Sequence, residues 1–139
     1  MAIIKLFLLT ICSLGFLGVN AQSKSPCYYY ESDTINLTGE MVRDTFPGPP
    51  NYESIKEGDA AEIYWVLQLE KPICMNAVAD DDNNVDRQNV TQLQMVMDID
   101  MYKKYRELLY KTVTVKGTLF GAQTGHHHTD VLITVISIK

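Results

Sequence analysis

Four stretches of two-residue alternation and a fifth, β-branched run, with one stretch of helical spacing between the third and fourth, constrain this chain more than any other feature. INLTGEMV puts Ile35, Leu37, Gly39 and Met41 on one face and Asn36, Thr38 and Glu40 on the other, the pattern of a half-buried strand. EIYWVLQLEKPI sets Ile63, Trp65, Leu67 and Leu69 against Glu62, Tyr64, Gln68 and Glu70, and VTQLQMVM sets Leu93, Met95 and Met97 against Gln92 and Gln94. In DIDMYKKYRELLY the period changes: Met101, Tyr105, Leu108 and Leu109 fall at helical spacing, and Asp98 or Asp100 can serve as N-cap. KTVTVKGTLF then alternates Val113, Val115, Gly117 and Leu119 with threonines and Lys116. HHHTDVLITVISI is β-branched and ends apolar on both faces, as a central or barrel-closing strand does. The order strand, strand, strand, helix, strand, strand is that of the OB-fold, a five-stranded Greek-key barrel. Gly39 and Gly117 in mid-strand suit the sharp bends of a barrel wall. A small β-sandwich with one covering helix is the alternative.

The opening stretch, MAIIKLFLLTICSLGFLGVNAQ, stands outside that pattern. Lys5, an apolar run from Leu6 to Val19 and the small-residue site Val19-Asn20-Ala21 predict a signal peptide over residues 1–21, cleaved after Ala21. The run is too short for a membrane span, so the mature chain is expected to have none and to be periplasmic or secreted. Removing 21 of the 139 residues leaves 118 and, with Lys5 gone, moves the formal charge from −5 to −6. Residues 22–34 then form an arm carrying Cys27, and residues 35–139 the barrel. Cys12 leaves with the leader, and Cys27 and Cys74 remain. In an oxidising compartment that pair reads as one disulfide; two separate buried thiols are the alternative. The acidic balance argues against a nucleic-acid partner, which needs a basic field.

Chemistry-bearing residues are few. His126, His127 and His128 read either as a strand end, with His126 and His128 on one face, or as a turn after Thr124-Gly125 with local hydrogen bonds. On one face, His126 and His128 with Asp130 supply up to three ligands for zinc or copper, short of a closed four-ligand site. The acidic run Asp80 to Asp86 fails the EF-hand pattern, with Val85 in the glycine position and Thr91 in that of the bidentate Glu. It reads as a solvated loop or a looser calcium site. No nucleophile elbow, metalloprotease helix or phosphate loop occurs, so no catalytic residue is assigned. Phe46, Tyr52 and Glu53 lie in FPGPPNYES, where the prolines stop the ladder and leave side chains for contact.

INLTGEM, FPGPPNYESIKEGD, EIYWVLQLEKPIC, VTVKGTLF and TGHHHTDVLI together resemble a bacterial family, the domain of unknown function 4431. The resemblance spans Cys27 to the end and implies an exported protein with an OB-like barrel; it implies no activity. It also implies that the words around Pro47–Ser54 and Thr124–Thr129 are family features. The expectation is a non-catalytic binding module without a cofactor, contacting an envelope protein, glycan or small molecule through Phe46, Tyr52, Glu53 and His126, His127 and His128. Two other readings stand beside it: a metal-binding protein or metal-dependent enzyme centred on His126 and His128, and an inhibitor or immunity-type protein.

Overall fold

The computed structural model describes residues 25–32 and 34–139. The expected leader and its cleavage site lie outside them. Six strands follow in order: β1 (Cys27–Tyr29), β2 (Ile35–Pro47), β3 (Ala61–Asn76), β4 (Arg87–Val96), β5 (Thr112–Gly121) and β6 (Val131–Ile138). One helix, α1 (Ile99–Tyr105), continued by a 3-10 turn over Arg106–Leu108, joins β4 to β5. The strands β2, β3, β4, β6 and β5 close on themselves, because β2 pairs with both β3 and β5 while β4 bridges β3 and β6. Every pairing in that ring is antiparallel except β4 with β6. This is the OB-like order, with the helix between the third and fourth barrel strands.

Alternation explains most of the interior. Leu37, Met41, Leu67, Leu93, Met95, Val113, Val115, Leu119, Ile133 and Val135 are buried in one cluster, the apolar burial that drives the chain to close. Glycine serves the close approach of strands at Gly39, where a Cβ would run into the Gln68 carbonyl. Helix α1 is short, so it depends on packing. Asp98 caps it by accepting a hydrogen bond from the Met101 amide (2.8 Å). Tyr105 is buried in the core, and the Tyr102 ring meets Trp65 edge to face at 5.0 Å, which seats the helix against the barrel.

Four sequence expectations are corrected. The first strand, expected over INLTGEMV with the ladder stopped by FPGPPNYES, runs on through RDTFP to Pro47, paired there with Ala61. Ile63, assigned inward, is 52% exposed, because this end of the β2–β3 hairpin projects past the interior. The last strand starts at Val131, not at the histidines, because residues 123–129 turn on local bonds: the His127 amide donates to the Thr124 carbonyl (3.0 Å) and the His126 amide to the Thr124 hydroxyl (3.3 Å). Gln94, assigned to the solvent face, is 2% exposed. It shares that outward face with Val66 and Leu132, its partners in register, and both of these are 0% exposed. Alternation placed these three residues on the outside of the barrel wall; a second layer of chain covers them.

The N-terminal arm carries β1, which pairs in parallel with the end of β3, Cys27 opposite Cys74. The two cysteines form a disulfide with Cα atoms 4.3 Å apart. Among the described residues no helix is long and apolar enough to cross a membrane.

Candidate functional site

The layer over the barrel wall is built from the two connections that the sequence singled out, the β2–β3 loop and the β5–β6 loop. Each is organised by a buried polar side chain. In the β2–β3 loop the Asp59 carboxylate accepts from the backbone amides of Asn51 (2.9 Å), Glu53 (2.8 Å) and Ser54 (2.8 Å), and from the Asn51 side chain (3.2 Å). In the β5–β6 loop Gln94 acts as a peptide surrogate. Its Nε2 donates to the His126 carbonyl (2.9 Å), and its Oε1 accepts from the His128 amide (2.7 Å). The Gln94 backbone amide donates to the Thr129 hydroxyl (2.9 Å), which in turn donates to the Val131 carbonyl (2.7 Å). Buried polar groups need such partners, so this part of the loop is held against the wall of β4.

The loops meet at Glu62 on β3. His126 Nδ1 lies 2.8 and 3.0 Å from the two Glu62 oxygens, and His128 Nε2 lies 3.1 Å from Oε2. An ionised carboxylate only accepts, so both of these ring nitrogens carry protons and donate. In the tautomer with its proton on Nδ1, Nε2 of His126 accepts from the Tyr52 hydroxyl at 3.3 Å. A chain of hydrogen bonds thus runs from Tyr52 through His126 to Glu62, and the Tyr64 hydroxyl adds a longer bond to Glu62 at 3.4 Å. Hydrogen bonding from His126 is the chief cause that holds the Glu62 carboxyl below its usual range, with His128 adding to it. The Tyr64 pKa is raised, first by burial, then by the Glu62 charge and by the hydrogen bond to that carboxylate.

Aromatic faces fix the imidazoles. Phe46, in register with Glu62, stacks on His128 with centroids 4.6 Å apart and planes 1° from parallel. Tyr52 meets His126 edge to face at 5.4 Å. Gly125 makes room for it: a Cβ there would lie 2.9 Å from the Tyr52 ring, and one on Gly48 would lie 2.6 Å from Glu62 Cγ. Side chains other than glycine at these two positions would push the loops apart. The His128 side chain is 8% exposed and that of His126 52%, so His128 is a buried strut and His126 offers its edge to solvent.

Of the sequence-predicted contact residues, Phe46, Tyr52, His126 and His128 are brought together. Glu53 joins only through its backbone amide, and its side chain is left on the surface. His127 turns away to Phe120 (5.5 Å, edge to face), and its Nδ1 accepts from the Gln123 amide (2.9 Å). Burial, then the neighbouring histidines, lowers its pKa and keeps it neutral. Asp130 does not approach His126 or His128 by hydrogen bond; its partner is Arg87, at 3.8 Å. In the acidic loop the Asp81 carboxylate is occupied by the Asn83 amide (2.9 Å) and by Asn84, and Asp86 accepts from the Ala77 amide (2.7 Å). Those carboxylates organise the loop. Glu62, Tyr64, Asp59 and Gln94 were not among the predicted site residues. A signal was present for Glu62 and Tyr64, which stand in phase on the outward face of β3, two residues apart.

The Asp59 arrangement has a pH consequence. Bonds from the Ser54, Asn51 and Glu53 amides lower its pKa, so the stability it adds is present above the ordinary carboxylate value and is lost as pH falls through the lowered one. The β2–β3 loop is expected to loosen below about pH 4. Amide exchange of Asn51, Glu53 and Ser54 reads this, and Asp59→Ala is expected to show the same rapid exchange already at pH 7. Protection unchanged in that variant would exclude Asp59 as the loop's organiser.

Residues 92–139 match the family model described as Domain of unknown function (DUF4431). That segment holds Gln94 near the end of β4, and then α1, β5, the loop with His126 and His128, and β6. No curated protein and no solved structure matches the chain.

Proposed function

We propose that this member of the DUF4431 family is an exported binding module without catalysis, whose ligand sits on the rim formed by Tyr52 and His126 above Glu62. The observation that carries it is the chain of bonds by which Tyr52 of one loop meets His126 of the other, with His126 and His128 both seated on the Glu62 carboxylate. OB barrels take oligonucleotides or oligosaccharides on this wall and with these two connections. Charge chooses between them. The chain has a formal charge of −5 and an ionised carboxylate at the centre of the site, so phosphates are repelled. A phenol, an imidazole edge and an aromatic ring suit an uncharged, hydroxyl-rich ligand, a short glycan. Export is supported by the predicted leader and by the Cys27–Cys74 bridge, which belongs to an oxidising compartment.

The test is an NMR titration of the chain with neutral oligosaccharides of bacterial envelopes. Saturable shifts centred on Tyr52 and His126 are expected, weakened at least about tenfold by Glu62→Gln, which keeps shape but removes the charge that fixes both imidazoles. Shifts absent for every saccharide, or unaltered in the variant, would defeat this reading.

A metal reading draws on one observation, the convergence of two imidazole nitrogens on Glu62. Glu62 would then replace Asp130 as the third donor. Among the described residues no three such side chains are arranged to hold an ion, and both facing nitrogens lie within hydrogen-bond distance of Glu62. Zinc or copper would have to displace both protons. A thermal shift on adding either metal, abolished by His128→Gln, is the result this reading requires.

A further inference from the structure

The opposite face of the β2–β3 hairpin carries a second and chemically different site. Arg43 and Trp65 are paired in register and lie three residues from Phe46 and Glu62 respectively, so they point away from the histidines. Between them and α1 with its 3-10 turn lies a cleft of about 270 Å3, lined by Arg43, Trp65, Tyr102, Lys103, Arg106 and Leu109. Three of the six are cations and none is acidic, in a chain with 17 Asp and Glu against 12 Lys and Arg. Lys103 is paired with Asp100 at 3.3 Å on the exposed side of the helix. Among the described residues neither Arg43 nor Arg106 has an ion-pair partner within 4.0 Å. Trp65, itself a member of the core, meets Tyr102 edge to face at 5.0 Å beside these cations.

We infer that this cleft binds a small organic anion with a flat apolar body, its acidic group held by Arg43 and Arg106 and its body laid against Trp65, Tyr102 and Leu109. A guanidinium presents paired N–H donors that match the two oxygens of a carboxylate or phosphate. Aromatic walls supply the apolar contact that a bare inorganic anion does not use. The cleft is small, so it admits one ring or short chain and not a polymer. It shares no lining residue with the rim around His126, so the two sites succeed or fail separately.

Trp65 is the sole tryptophan of the chain, and its fluorescence therefore reports on this cleft directly. The full chain is titrated with benzoate, phenyl phosphate, inorganic phosphate and the neutral benzyl alcohol. Saturable change is expected with at least one aryl anion, at least about tenfold weaker binding of inorganic phosphate, and no saturation by benzyl alcohol. Comparing benzoate with phenyl phosphate identifies the preferred acidic group. Arg43→Gln with Arg106→Gln is expected to weaken binding at least about tenfold, while Arg43→Lys with Arg106→Lys retains part of it. The lysine pair also serves if the glutamine pair lowers the melting temperature. No saturable change up to about 10 mM, an equal response to benzyl alcohol, or undiminished binding in both double variants overturns the inference.

Discussion

Replacing Cys27 and Cys74 by serine is expected to lower the unfolding free energy by about 2–4 kcal/mol, the usual effect of one cross-link on a small domain. The bridge joins positions 47 residues apart, and its main action is on the unfolded chain, where it removes loop-closure entropy. In the folded protein it ties down a strand of three residues, β1, whose only sheet neighbour among the described residues is β3. Tyr30, the residue after that strand, is 4% exposed and donates its hydroxyl to the Val85 carbonyl at 2.7 Å. Without the bridge the arm is held by this anchor, by the β1–β3 ladder and by the Glu31 amide donating to the Leu119 carbonyl (2.8 Å). Urea unfolding with and without a thiol reductant measures the difference, and identical midpoints would show that the arm is held by packing. The Glu62 cluster is expected to survive reduction in the folded state, because Cys74 lies toward the other end of β3. Loss of the arm and loss of the site are therefore separable.

Gln94→Leu is expected to destabilise the protein by about 1–3 kcal/mol and to release the histidine loop. Leucine keeps the volume of the buried side chain, so the effect comes from hydrogen bonds and not from a cavity. It leaves the His128 amide and the His126 carbonyl without the partners that now lie at 2.7 and 2.9 Å. The Gln94 backbone amide still reaches Thr129, so the start of β6 remains anchored and the loss is confined to residues 126–128. His126 and His128 then no longer hold their angles to Glu62, and saccharide binding should fall as it does in Glu62→Gln. Thermal melts give the stability term, and the histidine ring signals give the loop. A variant that melts with the wild type and retains its histidine spectrum would remove Gln94 from this role.

Strand order, the interior of the barrel and the helix between its third and fourth strands were legible because each depends on a local period. Met41, Leu67, Leu93, Met95 and Val115 are buried where two-residue alternation put them. Asp98 caps α1 as its position suggested. The same alternation assigned Gln94 outward correctly as a direction and wrongly as an exposure, because a period states which face a side chain takes and not what covers that face. Ile63 failed in reverse, an inward phase at a point where the hairpin has run past the core. Of the two readings of the histidines, the strand end gives way to the turn after Thr124-Gly125, where the Thr124 carbonyl and hydroxyl turn the chain before β6 begins.

By itself the sequence favoured a barrel of OB-like order over a small β-sandwich, offered the Cys27–Cys74 pairing as one of two alternatives, and marked the two loop words whose residues meet in space. Only the tertiary structure decided that they meet at Glu62. His126 is 64 residues from that carboxylate, and the separation carries no signal of contact. The contact follows from register and closure. Phe46 lies opposite Glu62 on β2, while β4 pairs with both β3 and β6 and so brings Gln94 and the histidine loop to the wall beside β3. Local patterns cannot specify a site assembled by pairings between distant strands, because each strand is chosen by its own periodicity and its neighbours are chosen only when the barrel closes.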